Sequence, residues 1–414
     1  MNSAPRNHRF AITVGLCFLA ALFEGVDLQA AGVAAPRMLP LFHLTPPQAG
    51  LFFSSSTLGL LAGAIFGGWL ADRIGRKMVL LGSIVLFGVF ALSTTLAFDF
   101  RSLVAVRLAT GLGLGGALPT MIAIAAESSP PSRRGFSVGL MYCGMPLGGA
   151  LASAVSLAGA TDWKTVFYIG GAAPLLLAPA IALLMSDTAS RRRSGANETS
   201  RAPGNPFSVL FGGGRFLNTT LLWAGFAFTL VVLYLLLNWL PSLLVSRGFS
   251  KPQSAEMQIL FNLGGVVGSA VAGWLIDGRR RLAVTVCSFL LTPLALFALA
   301  AGSSSTSIEL VIGAVLGVAI MSNQAILYAM APWCYPDEVR GFGVGAAVSV
   351  GRLGSLMGPL LAGELVGAGQ SAAQVLMHML PIVAVGGFAA IALSVRPLQR
   401  ALTGGGAHSA DSTL

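Results

Sequence analysis

Charge is scarce in this chain. Only 10% of its 414 residues are Asp, Glu, Lys or Arg, against about 25% in a typical soluble domain. So few charges cannot clothe an ordinary water-facing surface, which excludes a soluble globular protein. Histidine and cysteine are equally thin. His8, His43, His378 and His408 are scattered with no ligand spacing, and Cys17, Cys143, Cys287 and Cys334 have no pairing pattern. Neither a metal site nor a disulfide framework is indicated, and the cysteines read as packing residues. A nucleophile–base pair and a cofactor motif are missing too. The chain is therefore expected not to be an enzyme and to need no cofactor.

What is present is apolar. Hydrophobic residues make up 55% of the chain, and the mean hydropathy is +0.80. A transmembrane helix needs roughly 20 mostly apolar residues. Twelve such stretches can be laid down, at 12–37, 48–71, 78–98, 102–126, 136–158, 165–186, 216–245, 253–276, 283–302, 308–332, 342–366 and 374–395. They predict an all-α membrane protein of twelve transmembrane helices. Most of the 52 glycines fall inside these stretches, where small residues let membrane helices approach closely. Arg6 and Arg9 before the first stretch resemble the start of a signal peptide. That stretch is longer than a signal core, contains Glu24 and Asp27, and precedes eleven more, so it reads as the first helix.

The formal net charge of +10 raises nucleic acid as a partner. Its distribution points instead to a bilayer. With the N-terminus inside, eighteen Lys and Arg residues fall in inner segments, and five (Arg37, Arg101, Lys164, Arg247 and Lys251) in outer ones. The positive-inside rule then puts both termini in the cytoplasm.

The chain also repeats itself. Gly-Trp-Leu-Ala-Asp at Gly68–Asp72 returns as Gly-Trp-Leu-Ile-Asp at Gly273–Asp277, and Pro-x-x-x-Arg-Gly at Pro130–Gly135 returns at Pro336–Gly341. The offsets are close to half the chain, so two similar six-helix halves are expected, at 1–186 and 216–396. A polar cytoplasmic linker, 187–215, joins them, and a Gly/Ser-rich tail, 397–414, is expected to be disordered. Two similar membrane halves face to face enclose a midplane site, the logic of a secondary transporter.

Ionisable residues inside the apolar stretches are the candidate site. Glu24 and Asp27 in the first stretch are three apart and share a helix face. Two carboxylates in a low dielectric do not both ionise cheaply unless a cation intervenes, which suits a proton carrier. Arg107 opens the fourth stretch, and Arg352 sits about ten residues from either polar end of the eleventh, too deep to snorkel. A guanidinium there can hold an anionic substrate or a carboxylate of the first helix. Tyr234, Asn238 and Trp239 in the seventh stretch, with Asn323, Gln324 and Tyr328 in the tenth, offer the flat slot and few hydrogen bonds that an aromatic substrate needs. Each of these reads equally as packing or an interfacial anchor. Tyr142 in the fifth is a further candidate.

The loop Gly68-Trp-Leu-Ala-Asp72-Arg73-Ile-Gly75-Arg76-Lys77 resembles the signature of the major facilitator superfamily. Arg107-Leu-Ala-Thr-Gly111-Leu-Gly113-Leu-Gly115-Gly116 resembles its fourth-helix motif. Glu24-Gly-Val-Asp27 resembles the Asp-Gly-x-Asp element of its aromatic acid:proton symporter branch, with Glu for the first Asp. Met141–Pro146, Asn238–Pro241 and Val350–Gly363 carry the same likeness. The resemblance implies a twelve-helix fold in a bacterial inner membrane, working as a monomer and importing a small aromatic carboxylate with a proton. Asp27, with Glu24, would take the proton. Arg107 or Arg352 would attract the substrate carboxylate, and Tyr234, Trp239 and Tyr328 would contact its ring. Asp72 would meet the inner end of the eleventh helix as a conformational latch, with Arg76 pairing to Glu127. Arg73, Arg134 and Arg340 are counted with that latch. So is Asp277, although Gly278 stands where the first copy has Arg73. Two rivals remain. Gly144-x-Pro146-x-Gly148-Gly149 partly resembles a motif of proton-coupled drug exporters, and a membrane sensor of aromatic acids belongs to a different class.

Overall fold

The structure is a computed structural model describing residues 4–130, 134–158, 162–185, 210–276, 281–336 and 339–396. The side chains of residues 4–9, Asp72 and Arg134 lie outside that description, as do Asp277, most of the 187–215 linker and the 397–414 tail. In hydrocarbon every backbone group must be satisfied within its own element, so apolar spans become helices. Twelve helices among the described residues are long and apolar enough to cross a membrane. They are α1 (Ala4–Leu41), α2 (Pro46–Ile74), α3 (Arg76–Ser93), α4 (Phe100–Ser128), α5 (Arg134–Tyr142 and Gly144–Leu157), α6 (Thr165–Leu184), α7 (Phe216–Ser246), α8 (Lys251–Ile276), α9 (Arg281–Ala301), α10 (Thr306–Met330), α11 (Arg340–Gly367) and α12 (Ala372–Val395).

These helices fall on the twelve expected stretches, with three differences. α3 ends at Ser93, short of the expected 98, and a short 3-10 turn, Thr94–Leu96, follows it. α1 begins earlier than expected and continues through Pro36 and Pro40 to Leu41; membrane helices tolerate such prolines because neighbouring groups re-satisfy the freed backbone. α5 breaks at Cys143. Pro146 has no N–H to give the carbonyl four residues back, at Tyr142, so the helix is interrupted there. Helix starts are set by local chemistry. The Ser102 amide donates to Asp99 Oδ1 at 2.8 Å, and hydrogen bonds from Ser102 hold that exposed carboxyl below the usual carboxylate range. The Ser371 amide donates to Gln374 Oε1 at 2.8 Å at the start of α12. Between α2 and α3 the chain turns through Gly75 at φ +93°, a left-handed conformation that side chains resist.

The repeat is visible in the packing. Gly59 and Gly63 of α2 lie on the backbone of Leu108 and Leu112 in α4, and Gly264 and Gly268 of α8 lie on Ala314 and Val318 of α10. Gly148 of α5 lies on Leu22 of α1, and Gly354 of α11 on Ala227 of α7. A Cβ at any of these would strike backbone, so each half is assembled by the same close glycine contacts.

The halves meet at one face. We call it outer, following the charge distribution; it holds the loops after α1 and α7. There Gly50 of α2 touches Pro359 and Gly363 of α11, Ser54 Oγ donates to the Leu356 carbonyl at 2.8 Å, and Gly32 of α1 meets Leu237 and Asn238 of α7. At the opposite face Gly68, Gly139, Gly341 and Gly345 have open space around them.

Candidate functional site

α1 passes through the centre of the molecule, packed on α5, α6, α7 and α4. Its two carboxylates share a side but not an environment. Asp27 is fully buried. Arg107 of α4, 1% exposed, donates from Nη1 to both Asp27 oxygens at 3.0 Å. Its Nη2 reaches the Asp27 carbonyl at 3.3 Å. Arg107 thus turns inward to a partner within its own half and does not snorkel. The Phe167 ring lies under the guanidinium, 5.9 Å away.

Glu24 is also fully buried, yet neither carboxylate oxygen has a hydrogen-bond partner. The charges that act on it are those of Arg352 and Asp27. Arg352 projects from the middle of α11 and is 8% exposed. Its Nη1 donates to the Tyr234 hydroxyl of α7 at 2.6 Å. Tyr142, Tyr234, Tyr328 and Glu24 all lie within its electrostatic reach. Tyr328 of α10 stacks at a tilt on Tyr142 of α5 at 5.7 Å and edge-on to Phe226 of α7 at 5.1 Å. One guanidinium, three phenols and a carboxylate from both halves therefore converge midway through the helices. A strong, flat cation donor among aromatic faces suits a planar carboxylate with a ring behind it.

The other expected residues stand elsewhere. Asn238 is buried but donates to its own helix, at the Tyr234 carbonyl, 2.8 Å. Trp239 donates its indole N–H to the Pro359 carbonyl at 3.0 Å and packs edge-on to Phe53 at 5.4 Å. Trp239 thus ties α7 to α11, whereas Asn238 bonds only within α7. Asn323 is tied to Ser288 and Thr292 of α9 at 2.6 and 2.8 Å. Gln324 is half-buried one turn before Tyr328. Towards the inner face, Arg76 forms an ion pair with Glu127. The Arg73 guanidinium covers the Trp69 ring at 3.9 Å, and Arg340 donates to the Pro332 carbonyl at 3.2 Å.

Sequence reasoning passed over one polar cluster. Gln29 of α1 meets Gln258 and Asn262 of α8, all buried. Two amides four apart in an apolar stretch were the available signal. Phe226, which packs on the Tyr328 ring of the site, was indistinguishable in sequence from other core phenylalanines.

A family model described as Major Facilitator Superfamily matches residues 17–359. The 3-(3-hydroxy-phenyl)propionate transporter of Escherichia coli (strain K12) is 44% identical over 94% of this chain and 95% of its own. The 4-hydroxybenzoate transporter PcaK of Pseudomonas aeruginosa is 32% identical over 87% of each chain, and the gallate transporter of Pseudomonas putida 32% over 86% and 85%. Among solved structures, a D-xylose–proton symporter superposes with a TM-score of 0.71 at 17% identity, covering 92% of this chain and 96% of that one.

Proposed function

The chain belongs to the major facilitator superfamily, and on that premise we propose that it imports a hydroxylated aromatic carboxylate, 3-(3-hydroxyphenyl)propionate or a near relative, together with a proton. The observation that carries this reading is Arg352: a buried guanidinium held by a neutral phenol, with aromatic rings around it and, among the described residues, no carboxylate bonded to it. Arg107 already has its anion. Arg352 is therefore the arginine that meets the substrate carboxylate, and Tyr142, Tyr234 and Tyr328 contact the ring and its hydroxyl. The names of the three aromatic acid transporters above support the substrate class.

The coupling follows from charge. An anion moving inward against a negative-inside potential works against about 2.3 kcal/mol per 100 mV. Carrying one proton makes the cycle electroneutral. Glu24 is the group to carry it. A buried carboxylate without a hydrogen bond is tolerable only as the neutral acid, whereas Asp27 is neutralised by Arg107. Deprotonated, Glu24 competes with the substrate for Arg352; protonated, it leaves that arginine to the substrate. Asp27 and Arg107 hold α1 against α4 so that Glu24 stays in place. The inner membrane is the expected location.

The test is uptake of labelled 3-(3-hydroxyphenyl)propionate by cells expressing the chain, with and without a protonophore, beside Glu24→Gln. Accumulation abolished by the protonophore, with Glu24→Gln exchanging substrate across the membrane but no longer concentrating it, is the expected result. Retained label below that of control cells would make the chain an exporter. The Gly144–Gly149 cluster behind that rival packs against Phe18, Leu22 and Gln29 of α1.

A further inference from the structure

Five residues beyond Glu24, about 7.5 Å further along α1, Gln29 reaches across to the other half. Its Nε2 donates to Asn262 Oδ1 at 2.8 Å. Its Oε1 accepts from Asn262 Nδ2 at 2.8 Å and from Gln258 Nε2 at 3.0 Å. Asn262 Nδ2 also donates to the Gln258 carbonyl at 2.8 Å. The three amides are 3% exposed or less. Gln29 lies flat on Gly149 of α5, where a Cβ would strike its side-chain amide, so α1, α5 and α8 are joined at one point. The directions of these bonds are mutually fixed. Turning the Gln258 amide over would set two oxygens against each other, which leaves its Oε1 as a buried acceptor with no partner.

We propose that Gln29, Gln258 and Asn262 form the latch that holds the outer face shut, above the central site, and that breaks in every transport cycle. The physical case rests on what replaces the bonds when they break. Apolar side chains pulled apart into hydrocarbon or water gain nothing. Amides pulled apart as the outer face opens meet incoming water, which satisfies every donor and acceptor. A polar latch of mutually fixed amides is therefore both specific in register and easy to reopen. The contacts of Gly50, Gly363 and Ser54 lie on the same face, between α2 and α11. They report its closure without supplying such a switch. The inference needs the two-halved fold and not the choice of substrate.

The test uses Ser54→Cys as reporter in a full-length chain with Cys17, Cys143, Cys287 and Cys334 replaced by serine. Ser54 is 1% exposed and faces α11, so its labelling by a membrane-impermeant maleimide measures opening. Gln29→Met keeps the length of the side chain, and Asn262→Leu keeps its bulk; both delete the amide. Gln29→Met removes three hydrogen bonds to α8 and Asn262→Leu the two it shares with Gln29; each is expected to speed labelling from the outer side by at least about tenfold, the effect of roughly one net hydrogen bond. Unchanged labelling in both overturns the latch. Labelling only from the cytoplasmic side of inverted vesicles overturns its assignment to the outer face. A second arm bridges Gln29→Cys and Asn262→Cys with a short bis-methanethiosulfonate linker. Uptake should stop and return with reductant; uptake by the bridged chain equal to that of the reduced one overturns the proposal. If the substrate reading is wrong, neither form takes up label and the maleimide arm still decides.

Discussion

Arg107, towards the outer end of α4, and Arg352, in the middle of α11, face different neighbours, and the difference sets their chemistry. Arg107 is bonded through both oxygens to Asp27. Removing one partner of such a buried pair leaves an uncompensated charge and costs about 3–5 kcal/mol. Asp27→Asn is therefore expected to lower the melting temperature of the purified protein sharply, and Asp27→Asn with Arg107→Gln to recover most of the loss. A double variant as unstable as the single one would show that the pair does more than neutralise itself. The carboxylates were legible as a pair, because acids in an apolar stretch stand out. Which of them meets an arginine was not. They share a helix face, and only the rotation of α1 against α4 brings Asp27, and not Glu24, to Arg107.

Elements in this molecule are held by glycine surfaces. Gly111 of α4 sits on the Ser56 carbonyl of α2, and Gly317 of α10 on that of Phe261 in α8. Neither helix can yield without moving its partner, since the neighbour is backbone. Gly111→Val and Gly317→Val are each expected to abolish folded protein, read as loss of the monodisperse peak in detergent. Gly139→Ala, with open space around it, should leave that peak and the melting temperature within experimental error and so controls for helix propensity. The helices themselves were legible from length and hydropathy. The break in α5 was foreshadowed by Pro146, whereas the run of α1 on through Pro40 was not, because proline's effect on a membrane helix depends on what packs around it.

At the scale of the whole molecule the two halves touch at the outer face, while Gly68 and Gly341 at the opposite face have open space around them. Orientation in the membrane is carried by the Lys and Arg asymmetry, which acts during insertion and leaves no trace in the packing. A green fluorescent protein fused to the C-terminus is expected to fluoresce, and an alkaline phosphatase fused after Arg247 to be active. The reverse pattern would invert the outer and inner faces used here and with them the direction of every step.

Twelve spans, their duplication and the superfamily were all written in one dimension, because hydropathy, repeats and signature loops are properties of consecutive residues. So was the list of polar side chains that needed an explanation. What those side chains do was decided by contacts between residues far apart in the chain. Trp239 and Asn238, read in sequence equally as substrate contacts and as packing, bind helix carbonyls. Arg352 found Tyr234 across 118 positions. Gln29 found Asn262 across 233. A buried polar group must take the nearest partner in space, and in a bundle of twelve helices nearness depends on how each is rotated and how the halves are closed.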